Sequence, residues 1–366
     1  MLNPRVNTYN LFEEEYERYS RHLILNKIGP SGQKRIKASR ILFVGAGGLS
    51  SSALLYLIAS GVGTIGIIDN DQVETSNLQR QIIYRENNIK EHKVTAAKNN
   101  LKELNSSCKI EIYQKRLNKT NAFNIIRHYD IIIDSTDNIS SRHTISYSCY
   151  QLHKIHVYGA VHQFEGQISV FNYQGGPSYY NLYSHMGNSR LIECNQRGVF
   201  GILPGIIGLL QATEAIKIIT GNGNVLNGHL LKYNALNMSF QKIKIKPQKI
   251  RNTTVARIDT KIHNSNQNNH ISMTQLYFMK NEDLTIIDIR EQTEFMIKHI
   301  KNSINIPLKK IKQLETIKYL QKYFTRQIII IYCNNEYLSS IASKILNTHK
   351  IEHYILSGGI ETSQNE

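Results

Sequence analysis

Ile41-Leu42-Phe43-Val44-Gly45-Ala46-Gly47-Gly48-Leu49-Ser50 is a short continuous apolar run that stops in glycines, and residues 51–60 then continue with helical spacing. The pattern reads as strand, tight turn, helix. Ile65-Gly66-Ile67-Ile68 follows as a second buried strand and ends at Asp69, which completes a β-α-β unit. Glycines at 45, 47 and 48 let the backbone approach a phosphate, and the helix behind them offers free N–H donors and a positive partial charge. Ser50 stands where a third glycine is usual in such turns, so the packing there has to accept a hydroxyl. Asp69, about 20 positions on, is placed to accept hydrogen bonds from ribose hydroxyls.

Outward from this unit, 366 residues exceed one average domain, and 41% hydrophobic with 20% charged residues excludes a disordered or collagen-like chain. Four cysteines, Cys108, Cys149, Cys194 and Cys333, are far apart with no C-x-x-C pair, which leaves no disulfide framework and no four-cysteine zinc site. No apolar run approaches the roughly 20 residues that span a bilayer, and the first 17 residues turn acidic where a signal peptide turns apolar, so the reading is a soluble, intracellular chain. The net charge of +16 suits an anionic partner, although the richness in Lys, Asn, Ile and Tyr also fits A/T-rich codons.

Helix and strand alternate along the chain. Residues 13–29 read as one helix, 93–105 as another and 205–220 as a long apolar one. Strands are expected at 130–134, 155–160 and 166–173, with a hairpin over 230–246. The run His263-Asn264-Ser265-Asn266-Gln267-Asn268-Asn269 has linker composition. The expected division is therefore 13–246, a polar linker at 247–270, and a second α/β unit at 271–366 with strands at 284–289 and 328–332.

The most informative stretch is Asp69-Asn70-Asp71-Gln72-Val73-Glu74-Thr75-Ser76-Asn77-Leu78-Gln79-Arg80-Gln81. With Arg18-Tyr19-Ser20-Arg21, His92-Lys93-Val94 and Ser135-Thr136-Asp137-Asn138 it resembles the adenylyltransferases that activate ubiquitin-like sulfur carriers, over roughly residues 13–245. The resemblance implies a Rossmann-like, doubly wound α/β sheet that binds ATP. Arg80 and Lys93 would neutralise the phosphates, and Arg21 would reach the nucleotide of a neighbouring subunit, which implies a homodimer. Asp137 would hold Mg²⁺, Asp69 the ribose and Asn77 the triphosphate, with Ser76, Leu78, Gln79 and Asn138 completing the nucleotide site beside Gly45, Gly47 and Gly48. Cys194 aligns with a crossover-loop cysteine that some members link covalently to the carrier, where Arg197 could stabilise a thiolate. Cys108 and Cys149 read as buried small hydrophobes.

Members of that family carry two C-x-x-C pairs for zinc, yet the corresponding places here are Ser178-Tyr179-Tyr180-Asn181 and Lys246-Pro247-Gln248-Lys249, so no zinc is expected. Ile286-Ile287-Asp288-Ile289-Arg290, Glu294-Phe295, His299-Ile300, Ser303-Ile304-Asn305-Ile306-Pro307 and Ser357-Gly358-Gly359 look like a smaller, rhodanese-like α/β domain, with Cys333 at the position of its sulfur-carrying cysteine. Asn334 and Leu338 replace arginines usual in that loop, and Glu336 replaces a glycine. A carboxylate beside a thiol raises its pKa, which counts against persulfide chemistry.

The implied activity is adenylation of the C-terminal glycine of a small acidic ubiquitin-like carrier, first that of molybdopterin synthase, with thiamine or tRNA thiolation as alternatives. A sulfur-donor protein is a further implied partner; a membrane or nucleic acid is not expected. Two rivals remain: an NAD-dependent oxidoreductase, which leaves Arg21, Arg80, Lys93 and Asp137 idle, and an RNA-binding scaffold using the basic surface. Composition points to a plastid gene or a low-GC bacterium.

Overall fold

The computed structural model describes residues 9–183, 198–245, 270–279, 284–324, 327–334 and 336–357. The chain divides into two compact units, residues 1–249 and 250–366.

In the first unit, α1 (Glu13–Arg18) and α2 (Ser20–Leu23) are separated at Tyr19, and α3 (Gly29–Ala38) starts anew. The single helix expected over 13–29 is thus broken. Tyr19 leaves helical geometry (φ −98°, ψ 13°), and its buried hydroxyl accepts a hydrogen bond from Asn105 Nδ2 at 3.0 Å. A tertiary bond of that kind overrides local propensity. Gly29 then takes φ +56°, a left-handed value that favours glycine.

The order continues through β1 (Arg40–Val44), α4 (Gly48–Ala59), β2 (Thr64–Asp69), α5 (Lys93–Leu104), β3 (Lys109–Gln114), α6 (Ala122–Ile126), β4 (Ile131–Asp134) and α7 (Ile139–Gln151). It closes with β5 (Ile155–His162), β6 (Glu165–Phe171), α8 (Tyr179–Tyr183), α9 (Ile202–Thr220), β7 (His229–Asn234) and β8 (Ser239–Lys244). The eight strands lie in the order β3-β2-β1-β4-β5-β6-β7-β8. Pairs from β3 to β5 are parallel and those from β5 to β8 antiparallel.

Strands β1 and β4 are central, so both faces of each are covered. That is why they read as unbroken aliphatic runs: Ile41, Leu42, Phe43, Ile131, Ile132 and Ile133 are fully buried. Each such side chain contributes about 1.5–3 kcal/mol relative to exposure.

Helix α9 is apolar enough to cross a membrane by length and composition, but it lies against α4, β5 and β6 and is a core helix. Its approach to α4 depends on Gly208, where a Cβ would stand 2.0 Å from Leu49 O. Ser52 Oγ donates to Gly205 O (2.8 Å) across the same contact.

The order 3-2-1-4-5 reverses direction between β1 and β4, and open α/β sheets bind ligands beyond the carboxyl ends of their strands at such a point. Val44 pairs with Ile68 on one side and with Asp134 on the other. The register therefore delivers Gly45, Asp69 and Ser135 to one end of the sheet.

The second unit has five strands in the order β11-β10-β12-β13-β9: β9 (His270–Ile271), β10 (Leu284–Asp288), β11 (Ile304–Asn305), β12 (Ile328–Tyr332) and β13 (His353–Leu356). All pairs are parallel. His270, the last residue of linker composition, opens the edge strand β9.

Candidate functional site

The turn between β1 and α4 is enclosed on three sides. Gly45 has φ +95°, and a Cβ there would stand 2.9 Å from Ser135 O at the end of β4. A Cβ on Gly48 would meet Pro204 Cβ at 2.9 Å and the Arg80 stem at 3.5 Å. Glycine is therefore required at 45 by conformation and by space, and at 48 by space. Ser50, fully buried, turns its hydroxyl back to donate to Gly45 O, so the replacement for a third glycine ties the turn instead of crowding the sheet.

Ala46 sits at the centre of a clamp. Its N–H donates to Asp69 Oδ2 (2.8 Å), and its carbonyl accepts from the buried Tyr84 hydroxyl (2.7 Å). Asp69 Oδ1 accepts from the Asp71 N–H at 2.8 Å. Burial pushes the Asp69 carboxyl above the usual aspartate range, against the lowering effect of Lys93 and of the two backbone donors. Asp69 thus shapes the turn with one lone pair on each oxygen and keeps the others for a ligand.

Lys93 is the first residue of α5, its side chain 9% exposed, with Nζ 3.0 Å from Asp71 Oδ2. A cation at a helix N-terminus opposes the dipole, so the dipole does not explain it. Arg80 donates from Nη1 to Ser76 O (3.0 Å), which lays its stem along Gly48.

The intervening segment is held by its own side chains. Asn77 is buried, and its Oδ1 accepts from the Glu74 N–H (3.2 Å), so it acts as a turn cap. The Ser76 hydroxyl donates to Glu74 Oε2. Leu78 packs against the core, and Gln79 lies against Gly201, where a Cβ would be 2.5 Å from its Oε1.

After β4, Asp134 is completely buried and accepts from the Thr136 N–H (3.0 Å) and hydroxyl (2.7 Å). Its Oδ2 lies 3.2 Å from His156 Nε2. Burial pushes Asp134 up, but the His156 hydrogen bond and charge, with Arg142, overcome this and hold it below the usual range. Arg142, also buried, donates to Thr136 O (2.8 Å) and so fixes the loop from behind. That loop presents Asp137 as an exposed carboxylate, and Asn138 caps α7 by accepting from the Ser141 N–H at 2.9 Å.

One sheet end therefore gathers Gly45, Gly47, Gly48, Asp69, Arg80, Lys93 and the 135–138 loop. Arg21, exposed on α2, is joined to none of them by a hydrogen bond or ion pair among the described residues. Cys194 and Arg197 lie outside the described residues. Sequence reasoning missed Tyr84 and Arg142, whose signal is burial of a polar side chain beside a motif and not membership of it.

At the first place where the family carries a zinc-binding cysteine pair, the Ser178 N–H (2.8 Å) and hydroxyl (3.0 Å) both donate to Asn181 Oδ1. Tyr179 between them is buried against Tyr158, Phe171 and His156. Residues 246–249 lie outside the described set. Cys108 and Cys149 are buried, and burial pushes the Cys108 thiol up to about 12 and Cys149 well upward too. Among the described residues no group of three or more His, Cys, Asp or Glu could hold a metal ion.

In the second unit Cys333 follows β12 with 1% exposure, inside the apolar cluster with Ile287, Ile331 and Ala342. Arg290 is bound to Asp288 through Nε (3.0 and 3.1 Å) and Nη2 (2.7 Å) and reaches Asn334 Oδ1 at 3.1 Å. Asn334 Nδ2 donates to Glu294 Oε1 (3.1 Å), so a carboxylate from another element sits on the loop. Glu336 opens the following helix, its side chain outside the described set. Gly358 and Gly359 also lie outside it.

A glycine turn at the topological switch point, flanked by a buried lysine and an arginine, defines a nucleotide-binding α/β protein. The ThiF family model matches residues 19–254 and the rhodanese-like domain model residues 272–366. The chain belongs to the ThiF family, with a rhodanese-like domain behind it. It is 46% identical over 360 residues to the probable molybdopterin-synthase adenylyltransferase of Gracilaria tenuistipitata var. liui, covering 97% of this chain and 100% of that one. It is 33% identical over 366 residues to the adenylyltransferase and sulfurtransferase MOCS3 of Aedes aegypti, covering 93% of this chain and 83% of that one. A solved structure of E. coli MccB with MccA-N7isoASN superposes with a TM-score of 0.57 at 19% identity, covering 66% of this chain and 74% of that one, which shows the shared fold.

Proposed function

We propose that the first unit uses ATP to adenylate the C-terminal glycine carboxylate of a small acidic ubiquitin-like sulfur carrier. A carboxylate oxygen attacks the α-phosphorus, the bond from that phosphorus to the bridging oxygen breaks, and pyrophosphate leaves with the electron pair. Two anions have to meet, so cations must be near. The placing of Arg80 beside the glycine turn and of Lys93 beside Asp69 and Asp71, at the sheet end that also bears Asp137, carries this reading.

Asp137 offers a hard oxygen ligand, and Mg²⁺ takes one or two carboxylates together with phosphate oxygens. Bound there, Mg²⁺ would neutralise charge on the departing pyrophosphate. The lone pairs of Asp69 left free by Ala46 and Asp71 suit ribose hydroxyls. Arg21 would serve from a second copy, which makes the working form a homodimer.

The names of the related proteins favour the molybdopterin-synthase carrier, and the red-algal relatives favour a plastid location. Sulfur delivery is the step the second unit would add. With its thiol at 1% exposure, Cys333 would act only after its loop turned outward.

The test is exchange of labelled pyrophosphate into ATP by the full chain with the purified carrier. Exchange with the molybdopterin-synthase carrier is expected, and exchange only with a thiamine or tRNA-thiolation carrier would reassign the substrate. No carrier-dependent exchange, with hydride transfer to NAD instead, would overturn the reading.

A further inference from the structure

Behind the loop that carries Asp137, one buried side chain is poorly matched to its surroundings. His156, on β5, is fully buried beside Phe171 of β6 (ring centroids 5.6 Å apart) and Tyr179 of α8 (6.2 Å). An aliphatic side chain would fill that box of rings with no polar atom to satisfy. His156 brings two ring nitrogens instead, and its Nδ1 is buried without a hydrogen-bond partner. A buried polar atom left unpaired lowers stability, so packing does not account for an imidazole here.

The other nitrogen does. Nε2 lies 3.2 Å from Asp134 Oδ2, and since a carboxylate only accepts, Nε2 carries the hydrogen and donates it. Asp134 Oδ1 in turn accepts from both the N–H (3.0 Å) and the hydroxyl (2.7 Å) of Thr136. The two oxygens belong to one rigid plane. A donor fixed on Oδ2 therefore sets where Oδ1 points, and with it the residue that immediately precedes Asp137. Asp137 itself is exposed, so its direction is set from behind.

We infer that His156 is a positioning residue for adenylation: it orients Asp134, which holds Thr136 and so aims the Asp137 carboxylate at the metal-nucleotide. This rests on the adenylation reading above, with Asp137 as the Mg²⁺ ligand. Fully buried, His156 touches no substrate. Partners one step behind a metal ligand typically carry about 10–100-fold in metal affinity or activity, and His156 stands further back, so the low end applies.

Three variants of the full chain test it. His156→Leu fills the box of rings and removes the donor, His156→Gln keeps an N–H near the place of Nε2, and Thr136→Val removes the hydroxyl on the other side of Asp134. In carrier-dependent pyrophosphate exchange, the half-saturating Mg²⁺ concentration should rise about tenfold in His156→Leu, with KM for the carrier unchanged. His156→Gln should bring it back to within about threefold of wild type, and Thr136→Val should raise it as His156→Leu does. Because both act through Asp134, the double variant His156→Leu/Thr136→Val should rise by less than the product of the single effects. Mn²⁺ binding with an uncleavable ATP analogue, read by electron paramagnetic resonance, should weaken by the same factor without turnover. A structural role alone would lower the melting temperature and leave the metal dependence of the folded enzyme unmoved. Wild-type Mg²⁺ dependence in His156→Leu, a Gln variant no better than Leu, or single effects that multiply would overturn the inference. Should His156→Leu fail to fold, unchanged Mg²⁺ dependence in Thr136→Val overturns it as well. If wild type exchanges normally and the variants match it, only the role of His156 falls; if wild type does not exchange, the adenylation reading falls and the inference with it.

Discussion

Replacing Lys93 with Met removes one ammonium group and keeps the length of its stem. The fold should hardly register the change. The pair with Asp71 is short at 3.0 Å, but the Asp71 side chain is 59% exposed, so water screens it and it contributes at most about 1 kcal/mol. Against this, Lys93 is the first residue of α5, where a cation costs about 0.3–1 kcal/mol against the helix dipole. The two effects nearly cancel. Since 1 kcal/mol moves the melting temperature of a unit this size by about 2–4 °C, the midpoint should shift by only a few degrees. The reaction should respond quite differently. Loss of one preorganised charge partner of the reacting group typically costs about 10²–10³ in rate, or about 2.7–4 kcal/mol. The assay is carrier-dependent pyrophosphate exchange, read beside a thermal melt of the same preparation. Exchange within about threefold of wild type would refute the assignment, and so would a melting point lowered by more than about 10 °C, which would make Lys93 a residue of the fold.

Asp69 predicts a pH dependence of stability. Burial raises its pKa in the folded chain, so the folded state keeps the proton to higher pH than the unfolded state does. The stabilisation from this group is complete below the ordinary aspartate range and is lost as pH rises through the raised value. Wild type should therefore lose stability relative to Asp69→Asn across that window, measured by denaturant melts at several pH values; a flat difference would refute it. Cys333 supplies a chemical prediction. At 1% exposure it should react with iodoacetamide at least about tenfold more slowly in the folded chain than in the denatured one, followed by mass spectrometry of its peptide. Equal rates would show an open loop and restore an accessible sulfur site.

The sheet was legible because central parallel strands are apolar on both faces, so β1, β2, β4 and β12 stand out as apolar runs. Gly45, Gly47 and Gly48 were legible for a related reason, since a turn from strand to helix has few other solutions. The break at Tyr19 was not, because its cause is a hydrogen bond to Asn105, 86 residues away. The early start of α9 at Ile202 escaped similarly, as the pattern before Gly205 is too short to carry a period. Within the site, the role of Asn77 at the triphosphate was implied by the family resemblance alone, and the turn that its amide oxygen closes over Glu74 was not legible in the spacing. Tyr84 sits in the same stretch, yet nothing in its spacing separates a buried hydroxyl that clamps Ala46 from a surface tyrosine.

The resting partner of Lys93 bears on which ligands the pocket accepts. Because Asp71 already satisfies the ammonium, an incoming anion gains only the difference between itself and a carboxylate that is free to swing into solvent. A weakly charged visitor gains almost nothing from that exchange, whereas a polyphosphate outbids a single carboxylate. Neutralisation in advance is thus a threshold: it makes occupancy rise steeply with the number of negative charges a ligand brings, and it favours ATP over the AMP left when an adenylate is consumed.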